Sequence, residues 1–338
     1  MLPAHVSEPL LEARGVSRSF TIRDGLFHRR DLRAVDRVNL EIIQGETLGL
    51  VGESGCGKST LARLLLGLLQ PSAGEVRYMG GALSRQGMAL RRDLQVIFQD
   101  PYSSLNPSMT AGEIVERPLI VHGLGTRAER QRRVSELFNW VGLPAESASR
   151  YAHEFSGGQR QRIAVARAIA SGPRVVIADE PTSALDVSVQ AKVLNLLKDL
   201  QSALGLTYVF ISHDMRVVRH MCDRLAVMYL GRVVEYGPTE DVFTTPRHPY
   251  TRALLGAVPR MEPRRGRERK RVGLEGEPPS PLSPPPGCHF HPRCPWAVDH
   301  CREASPELRS LAPSHEAACH LALPLPLGEG RGEGPLLR

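Results

Sequence analysis

The chain has 338 residues and a formal net charge of +7, and 41% of its residues are hydrophobic. This length is enough for two domains, or for one large domain with additions. No apolar run approaches the roughly 18–20 residues that span a bilayer, and the N-terminus lacks the pattern of a signal peptide. We therefore expect a cytoplasmic protein whose six cysteines form no structural disulfides. The positive charge suits nucleotide phosphate, nucleic acid or anionic lipid without choosing among them.

The chain up to about residue 236 predicts a layered α/β fold. Residues 10–51 alternate apolar and polar side chains between turn signals, which predicts several short strands. Short apolar runs then begin at Leu94, Arg174, Thr207 and Leu225. Helical patterns lie between them, at 60–69, 128–141, 158–170 and 187–204. This alternation predicts a sheet that is parallel at its centre, and the helix-like stretch at 101–165 indicates an inserted helical subdomain.

The composition changes after about residue 236. A basic run at 264–271 is followed by a proline-rich linker, a cysteine-rich segment at 288–319 and a low-complexity end. We expect the tail at 323–338 to be disordered. The basic run is interpreted as a solvated linker, with contact to anionic lipid headgroups or nucleic acid as the functional alternatives.

The stretch "GESGCGKST", residues 52–60, fits the pattern GxxxxGK[ST] between an apolar strand and a helical pattern. Glycines allow backbone N–H groups to approach an anion closely, and the following helix presents its positive end to the same point. Lys58 can reach the β- and γ-phosphates of a nucleotide, and Ser59 can ligate Mg²⁺. The stretch therefore predicts a phosphate-binding loop, or P-loop, in which Cys56 is a small filler residue.

Two carboxylates follow the apolar run "RVVIADE". Asp179 is placed to hold Mg²⁺ through water, and Glu180 is placed to orient or deprotonate an attacking water. A second candidate anion site lies at "SGGQ", where Ser156, Gly157 and Gly158 open a helical pattern. Two such sites are more than one γ-phosphate requires from a single subunit.

The P-loop, "SGGQ" at 156–159, "ADEPTSALD" at 178–186 and "ISHD" together resemble the nucleotide-binding subunit of an ABC transporter. The resemblance covers about residues 10–240. It implies a P-loop NTPase fold with a RecA-like core, an N-terminal antiparallel β subdomain, an inserted α-helical subdomain and a C-terminal extension. The corresponding ranges are 8–100 with 166–240 for the core and β subdomain, 101–165 for the helical subdomain and 241–322 for the extension.

In this family two subunits face each other head to tail. Each ATP lies between the P-loop of one subunit and the signature segment of the other, which is "SGGQ" at 156–159 in this sequence. The resemblance implies catalytic roles for Lys58, Gln99, Glu180 and His213. Mg²⁺ would be bound by Ser59, Gln99 and Asp179. The residues that it implies for contact with ATP are Gly52, Glu53, Ser54, Gly55, Cys56, Gly57, Lys58, Ser59 and Thr60 of the P-loop, Phe20 against adenine, and Ser156, Gly157, Gly158, Gln159 and Asp186 across the interface.

Beyond the core, "HPYTRALLGAVP" and "CHFHPRCPWAVDHC" resemble the oligopeptide/dipeptide branch of the family, to which nickel systems also belong. The core is similar to the F-type ATPase of that branch. The implied partners are a non-identical D-type ATPase, two transmembrane permease subunits and an external solute-binding protein, with no nucleic acid. The implied location is the cytoplasmic face of a bacterial or archaeal membrane. One alternative is a soluble ABC ATPase of DNA repair or translation, but long coiled-coil inserts and a second P-loop, which mark those types, do not appear in the sequence. The other alternative, a nucleic-acid-binding regulator, would leave the ATPase motifs unexplained.

Four cysteines, Cys288, Cys294, Cys301 and Cys319, lie in one short segment. Four thiols suit an iron–sulfur cluster or zinc, but the spacing is not the tight pairing of common zinc fingers. The resemblance favours a [4Fe–4S] cluster, while zinc and no metal remain alternatives. Cys222 is interpreted as inert packing.

Overall fold

The computed structural model describes residues 8–24, 28–83, 87–257 and 276–322. The basic run at 264–271 and the tail at 323–338 lie outside these residues. In the described ranges no helix is both long and apolar enough to cross a membrane.

The described residues form strands and helices in the alternating order that the sequence predicts. The strands are β1 Leu11–Asp24, β2 His28–Ile42, β3 Thr47–Val51, β4 Ala73–Tyr78, β5 Gly81–Ala82, β6 Leu94–Ile97, β7 Val175–Asp179, β8 Thr207–Ile211, β9 Arg224–Tyr229, β10 Arg232–Pro238, β11 Arg309–Ala312 and β12 His315–Ala317. The α-helices are α1 Lys58–Leu65, α2 Met88–Asp93, α3 Pro101–Ser104, α4 Ala111–Val121, α5 Arg127–Trp140, α6 Gly157–Ile169, α7 Val187–Leu204, α8 Met215–Met221, α9 Thr239–Thr244, α10 Pro249–Gly256 and α11 Asp299–Glu303.

The central sheet has eight strands in the order β11-β12-β10-β9-β3-β8-β7-β6. Its middle is parallel, because β3 pairs in parallel with both β8 and β9, and β7 pairs in parallel with both β6 and β8. Both faces are buried. Along β7, Val175 and Ile177 belong to one hydrophobic cluster, while Val176 and Ala178 belong to the other. Covered faces explain why the central strands read as continuous apolar runs.

A second, antiparallel sheet at the N-terminus has the order β2-β1-β4-β5. The expectation of several short strands over residues 10–51 is wrong here, because β1 and β2 are single strands of 14 and 15 residues. Register shifts along the β1–β2 pair, near Ala13, Val16 and Arg18, interrupt the strict alternation without ending either strand. Such irregularities bend a strand and increase its twist. Gly15, with φ of 57°, lies within this irregular part.

The inserted helices begin at residues whose side chains cap them. Thr110 begins α4 and Thr126 begins α5, and each forms a reciprocal capping box with the glutamate three residues later. These boxes satisfy backbone N–H groups that a helix start otherwise leaves without partners. The first helix of the core, α1, ends at Leu65 rather than near residue 69. Gly67, with φ of 68°, follows this end.

The C-terminal extension joins the central sheet. Strand β12 pairs antiparallel with β10, and the register places Ala317 opposite Glu235. The Glu235 side chain is fully buried, and it accepts hydrogen bonds from the backbone N–H groups of Arg247 and His248 at 2.6 and 2.9 Å. Its Oε1 also lies 2.9 Å from Nε2 of His315. This network fixes the start of α10 and the β11–β12 hairpin on the same strand.

Candidate functional site

The P-loop connects β3, near the middle of the central sheet, to α1. Gly52, Gly55 and Gly57 have φ values of 150°, 78° and 111°, a region that other residues rarely adopt. A Cβ atom on Gly52 would lie 2.2 Å from the carbonyl oxygen of Met228, and one on Gly57 would lie 2.3 Å from that of Ala34. Glycine is therefore required at both positions by sterics as well as by backbone conformation.

Lys58 folds back over this loop. Its Nζ donates hydrogen bonds to the carbonyl oxygens of Gly52 and Glu53 at 2.8 and 3.0 Å, and only 7% of the residue is exposed. Cys56 is buried beneath the loop with Sγ 3.7 Å from the same Nζ, and burial raises the pKa of its thiol. Ser54, Gly55 and Ser59 are exposed and Thr60 is half-buried. The P-loop thus holds the Lys58 ammonium group nearly buried, while Ser54, Gly55 and Ser59 remain accessible to a ligand.

The two carboxylates after β7 occupy different environments. Asp179 Oδ1 lies 3.5 Å from the hydroxyl of Ser59, so the predicted Mg²⁺ ligands from two distant segments meet. Burial raises the pKa of Asp179, which disfavours an uncompensated carboxylate at this point. A divalent cation would offset this cost, and the hydroxyl and carboxylate oxygens are the hard donors that Mg²⁺ prefers.

Glu180 lies between two of the other predicted residues. Gln99 Nε2 donates a 3.1 Å hydrogen bond to Glu180 Oε2, and His213 Nδ1 lies 3.2 Å from Oε1. These residues follow β6, β7 and β8, whose parallel pairing brings their carboxyl ends to one edge of the sheet. Glu180 has φ of 47°, and its backbone N–H donates to the carbonyl oxygen of Ile211 at 3.0 Å. The backbone therefore holds the carboxylate in an unusual but anchored conformation.

The signature segment forms the exposed N-terminus of α6. Ser156 is the N-cap, and it exchanges capping hydrogen bonds with Gln159. Gly158 packs closely against α7, since a Cβ atom there would lie 2.3 Å from Cγ1 of Val189. Asp186 caps α7 by accepting from the N–H of Val189 at 2.9 Å, and this hydrogen bond lowers the pKa of its carboxyl. The starts of α6 and α7 are thereby held together.

Phe20 lies on β1 and is half-buried. The guanidinium carbon of Arg18 lies 4.8 Å from the centre of its ring. A cation thus covers part of one ring face, and stacking of adenine on Phe20 stays a prediction.

The four C-terminal cysteines are free thiols that lie in one neighbourhood. Burial raises the pKa of Cys288, Cys294 and Cys319, that of Cys294 to about 11, and electrostatic interaction links every pair among these three and Cys301. Within the described part of the chain, however, no group of three or more His, Cys, Asp or Glu residues is arranged to hold a metal ion. Cys222 is buried in the hydrophobic core, as its interpretation as a packing residue predicts.

Two residues that the sequence did not single out contact the P-loop from the extension. The hydroxyl of Tyr250, on α10, accepts a 2.9 Å hydrogen bond from the backbone N–H of Glu53. Arg293, between Cys288 and Cys294 in the cysteine-rich segment, forms two hydrogen bonds with the Glu53 carboxylate at 2.8 and 3.0 Å. Both lie in stretches quoted above, "HPYTRALLGAVP" and "CHFHPRCP", but nothing local in them indicates the contact.

Two family models match the chain. The model described as "ABC transporter" matches residues 35–183, which include the P-loop, Gln99, the signature segment and both carboxylates. The model described as "Oligopeptide/dipeptide transporter, C-terminal region" matches residues 234–301, which include Tyr250 and Arg293.

Curated relatives match nearly the whole chain. It is 49% identical over 321 residues to the oligopeptide transport ATP-binding protein AppF of Bacillus subtilis, covering 93% of this chain and 98% of that protein. It is 50% identical over 316 residues to the dipeptide transport ATP-binding protein DppF of Haemophilus influenzae, covering 92% and 96% respectively.

Solved structures agree with the fold. A dimeric post-hydrolysis state of the ATP-binding cassette MJ0796, bound to ADP and Pi, aligns with a TM-score of 0.61 at 32% identity. The alignment covers 68% of this chain and 98% of that one. A second dimeric structure of MJ0796, described as a bacterial ABC transporter cassette, aligns with a TM-score of 0.60 at 33% identity.

Proposed function

Since the chain belongs to the ABC transporter family of ATP-binding proteins, in its oligopeptide/dipeptide branch, we propose that it hydrolyses ATP to drive the import of short peptides. The observation that carries the proposal is the meeting of the P-loop, Asp179, Glu180, Gln99 and His213 at one sheet edge. The matched C-terminal region and the names of the relatives support the peptide branch.

The chemistry is phosphoryl transfer to water. Lys58, whose Nζ lies over the P-loop, neutralises charge that develops on the γ-phosphate. Glu180 accepts a proton from the attacking water or orients it, and His213 and Gln99 hold that carboxylate from both sides. Ser59, Asp179 and Gln99 would hold Mg²⁺, which when bound supplies charge neutralisation between the phosphates.

The active unit is a pair of ATPases. The N-terminal end of α6 is exposed and its capping serine is oriented by Gln159, which suits it to bind the ATP of a partner. Dimeric cassettes among the similar structures support this arrangement. Asp186, the N-cap of α7, is proposed to cross to the partner subunit. Binding of ATP closes the pair and hydrolysis releases it.

The pair works with other polypeptides. The partners proposed are a non-identical D-type ATPase, two membrane permeases and an external solute-binding protein, with this chain peripheral on the cytoplasmic face of the membrane. The helical subdomain, beginning at "QDPYSSLNP", would dock on the permeases. Its exposed Tyr102, stacked under Arg160 with the guanidinium carbon 3.9 Å from the ring centre, presents an aromatic surface for that contact.

The test is uptake in cells that lack the gene for this chain. Restoring the wild-type gene should restore uptake of radiolabelled di- and oligopeptides, whereas a Lys58→Ala gene should not. Uptake of labelled Ni²⁺ is measured in parallel, because nickel is the alternative cargo of this branch. Peptide uptake that does not depend on the gene would contradict the peptide proposal. Nickel uptake that depends on the gene would instead identify nickel as the cargo.

The cysteine-rich segment is proposed to hold a [4Fe–4S] cluster. The proposal is supported by the donor type, since cysteine thiolates are the usual ligands of iron–sulfur clusters and all four of these cysteines are free thiols. The described residues contain no group of three or more His, Cys, Asp or Glu arranged to hold a metal ion, so the support for the cluster is the donor type and the resemblance to the peptide-transporter branch.

Iron, sulfide and zinc content of anaerobically purified protein tests this second proposal. Stoichiometric iron and sulfide with visible absorbance are expected, and Cys301→Ser should lose them. Cys222→Ser is the matched control, because it removes a buried thiol outside the set. Protein with zinc alone, or with no metal, would refute the cluster.

A further inference from the structure

We propose that Arg293 and Tyr250 of the C-terminal extension position the P-loop for ATP. The extension would then contribute two positioning residues to the nucleotide site, Tyr250 from α10 and Arg293 from the segment between Cys288 and Cys294. This inference rests on the ATP site proposed above and deepens it, because it adds residues outside the ATP-binding core to the machinery that holds the triphosphate.

The first contact is electrostatic. Glu53 is an anionic residue inside a loop that must bind several phosphate charges. Its carboxylate forms a bidentate pair with Arg293, at 2.8 and 3.0 Å, and the Arg293 side chain is only 5% exposed. The pairing raises the pKa of Arg293, which keeps it charged. Without this partner, Glu53 would place an uncompensated negative charge beside the phosphates.

The second contact fixes the backbone. The Tyr250 hydroxyl accepts the N–H of Glu53 at 2.9 Å, and Tyr250 is fully buried. Burial raises the pKa of this phenol, so the group that meets the loop is neutral. The same residue, Glu53, also offers its carbonyl oxygen to Lys58. Side chain, N–H and carbonyl of one P-loop residue are therefore all engaged, the first two by the extension.

An aromatic cluster holds the two contacting residues in place. The rings of Tyr229, Tyr250 and Phe290 pack pairwise, with centroids 4.7, 5.3 and 5.4 Å apart. Tyr229 lies on the core strand β9, Tyr250 on α10 and Phe290 three residues before Arg293. The hydroxyl of Tyr229 also accepts from Arg293 at 3.5 Å. The cysteine-rich segment is thus packed against the central sheet where Arg293 contacts Glu53.

The test is a set of variants in the purified, reconstituted transporter, with the KM for ATP, kcat and melting temperature measured for each. Arg293→Ala should raise the KM for ATP about tenfold or more, the size of effect expected when a neighbouring carboxylate loses its cation, with kcat changed far less. Arg293→Ala combined with Glu53→Gln should return the KM towards the wild-type value, because the unpaired carboxylate is gone. Rescue of this kind distinguishes positioning from a general loss of stability.

Tyr250→Phe tests the hydrogen bond to the backbone N–H of Glu53. It also provides an independent test of the inference if Arg293→Ala does not fold. It should raise the KM for ATP several-fold, whereas Tyr208→Phe should lower stability without changing that KM. Tyr208 is the matched control, since its buried hydroxyl donates to the carbonyl oxygen of Leu197, away from the P-loop. Arg219→Ala removes an exposed ion pair with Glu240 and controls for loss of an arginine.

An unchanged KM for ATP in both Arg293→Ala and Tyr250→Phe would overturn the inference. A double variant, Arg293→Ala with Glu53→Gln, whose KM for ATP is higher than that of either single variant would also overturn it. Lys58→Ala is measured in the same assay. If Lys58→Ala abolishes activity while the other variants behave as wild type, the inference fails and the ATP site stands. If Lys58→Ala is also unchanged, the proposed site itself fails.

Discussion

Glu180 and His213 are in contact, with Nδ1 of the histidine 3.2 Å from Oε1 of the glutamate. The other carboxylate oxygen accepts from Gln99, so both oxygens of Glu180 have a partner. A carboxylate held from two sides keeps a fixed direction, and a base with a fixed direction can receive a proton from a water that ATP positions.

Substitution Glu180→Gln should preserve ATP binding and slow hydrolysis at least about 100-fold, because the amide keeps the shape of the side chain but cannot accept the proton. Phosphate release at saturating ATP measures turnover, and sedimentation measures the ATP-dependent pair, which should persist in the variant. Turnover within threefold of the wild type would remove Glu180 from its proposed role.

The two glycines of the signature segment should respond differently to alanine. A Cβ atom at Gly158 would lie 2.3 Å from Cγ1 of Val189, whereas one at Gly157 would meet only Leu185 Cδ2 at 3.6 Å. We expect Gly158→Ala to lower the free energy of unfolding by about 1–3 kcal/mol, as overpacking does. Gly157→Ala should be neutral or slightly stabilising, since alanine favours helix.

The melting temperatures of the two glycine variants are measured without nucleotide, so that any effect on ATP binding does not contribute to the difference. Equal melting temperatures for Gly157→Ala and Gly158→Ala would contradict this prediction. They would mean that α6 and α7 can move apart enough to accept a methyl group at Gly158 without loss of stability.

Acid should destabilise the protein through His248. Burial lowers the pKa of this histidine from the ordinary value of 6.5 to about 4, and its Nδ1 accepts a hydrogen bond from the N–H of Tyr250 at 3.0 Å. The unfolded chain therefore takes up the proton at higher pH than the folded chain. The free energy of unfolding should fall as the pH drops from about 6.5 to 4, by about 3 kcal/mol from this group.

Substitution His248→Asn isolates that contribution, because asparagine can cap α10 as a neutral acceptor that does not titrate in this range. The difference in melting temperature between wild type and variant should change as the pH falls from 7 to 4. Exposed His220 provides the control, and His220→Gln should show a smaller change. A pH-independent difference for His248→Asn would contradict a buried neutral histidine at the start of α10.

The sequence was most informative where structure is local. The helical pattern at 187–204 matches α7 residue for residue, and the apolar run before Asp179 matches β7. Repeats of 3.6 residues and buried apolar runs depend on neighbours along the chain, so they can be read from it. The lengths of β1 and β2 could not be predicted from the sequence, because the irregular register near Gly15 resembles the end of a strand.

Contacts between distant segments were not predictable in the same way. Parallel pairing explains why Gln99, Glu180 and His213 meet. The apolar run that ends in two carboxylates indicated the role of Glu180, whereas only the resemblance to a family indicated the roles of Gln99 and His213. The pairing of Glu53 with Arg293 spans 240 residues, and that of Glu53 with Tyr250 spans 197. A buried arginine between two cysteines carries no local sign of its partner, since only the packing of β9, α10 and the cysteine-rich segment determines it.

The most direct test of a shared ATP site is a structure of the Glu180→Gln transporter with ATP and Mg²⁺ bound. Ser156 of this chain should lie within hydrogen-bonding distance, about 3 Å, of the γ-phosphate of the ATP held by the P-loop of the partner ATPase. A nucleotide-loaded assembly in which Ser156 contacts no triphosphate, while ATP fills both P-loops, would contradict it.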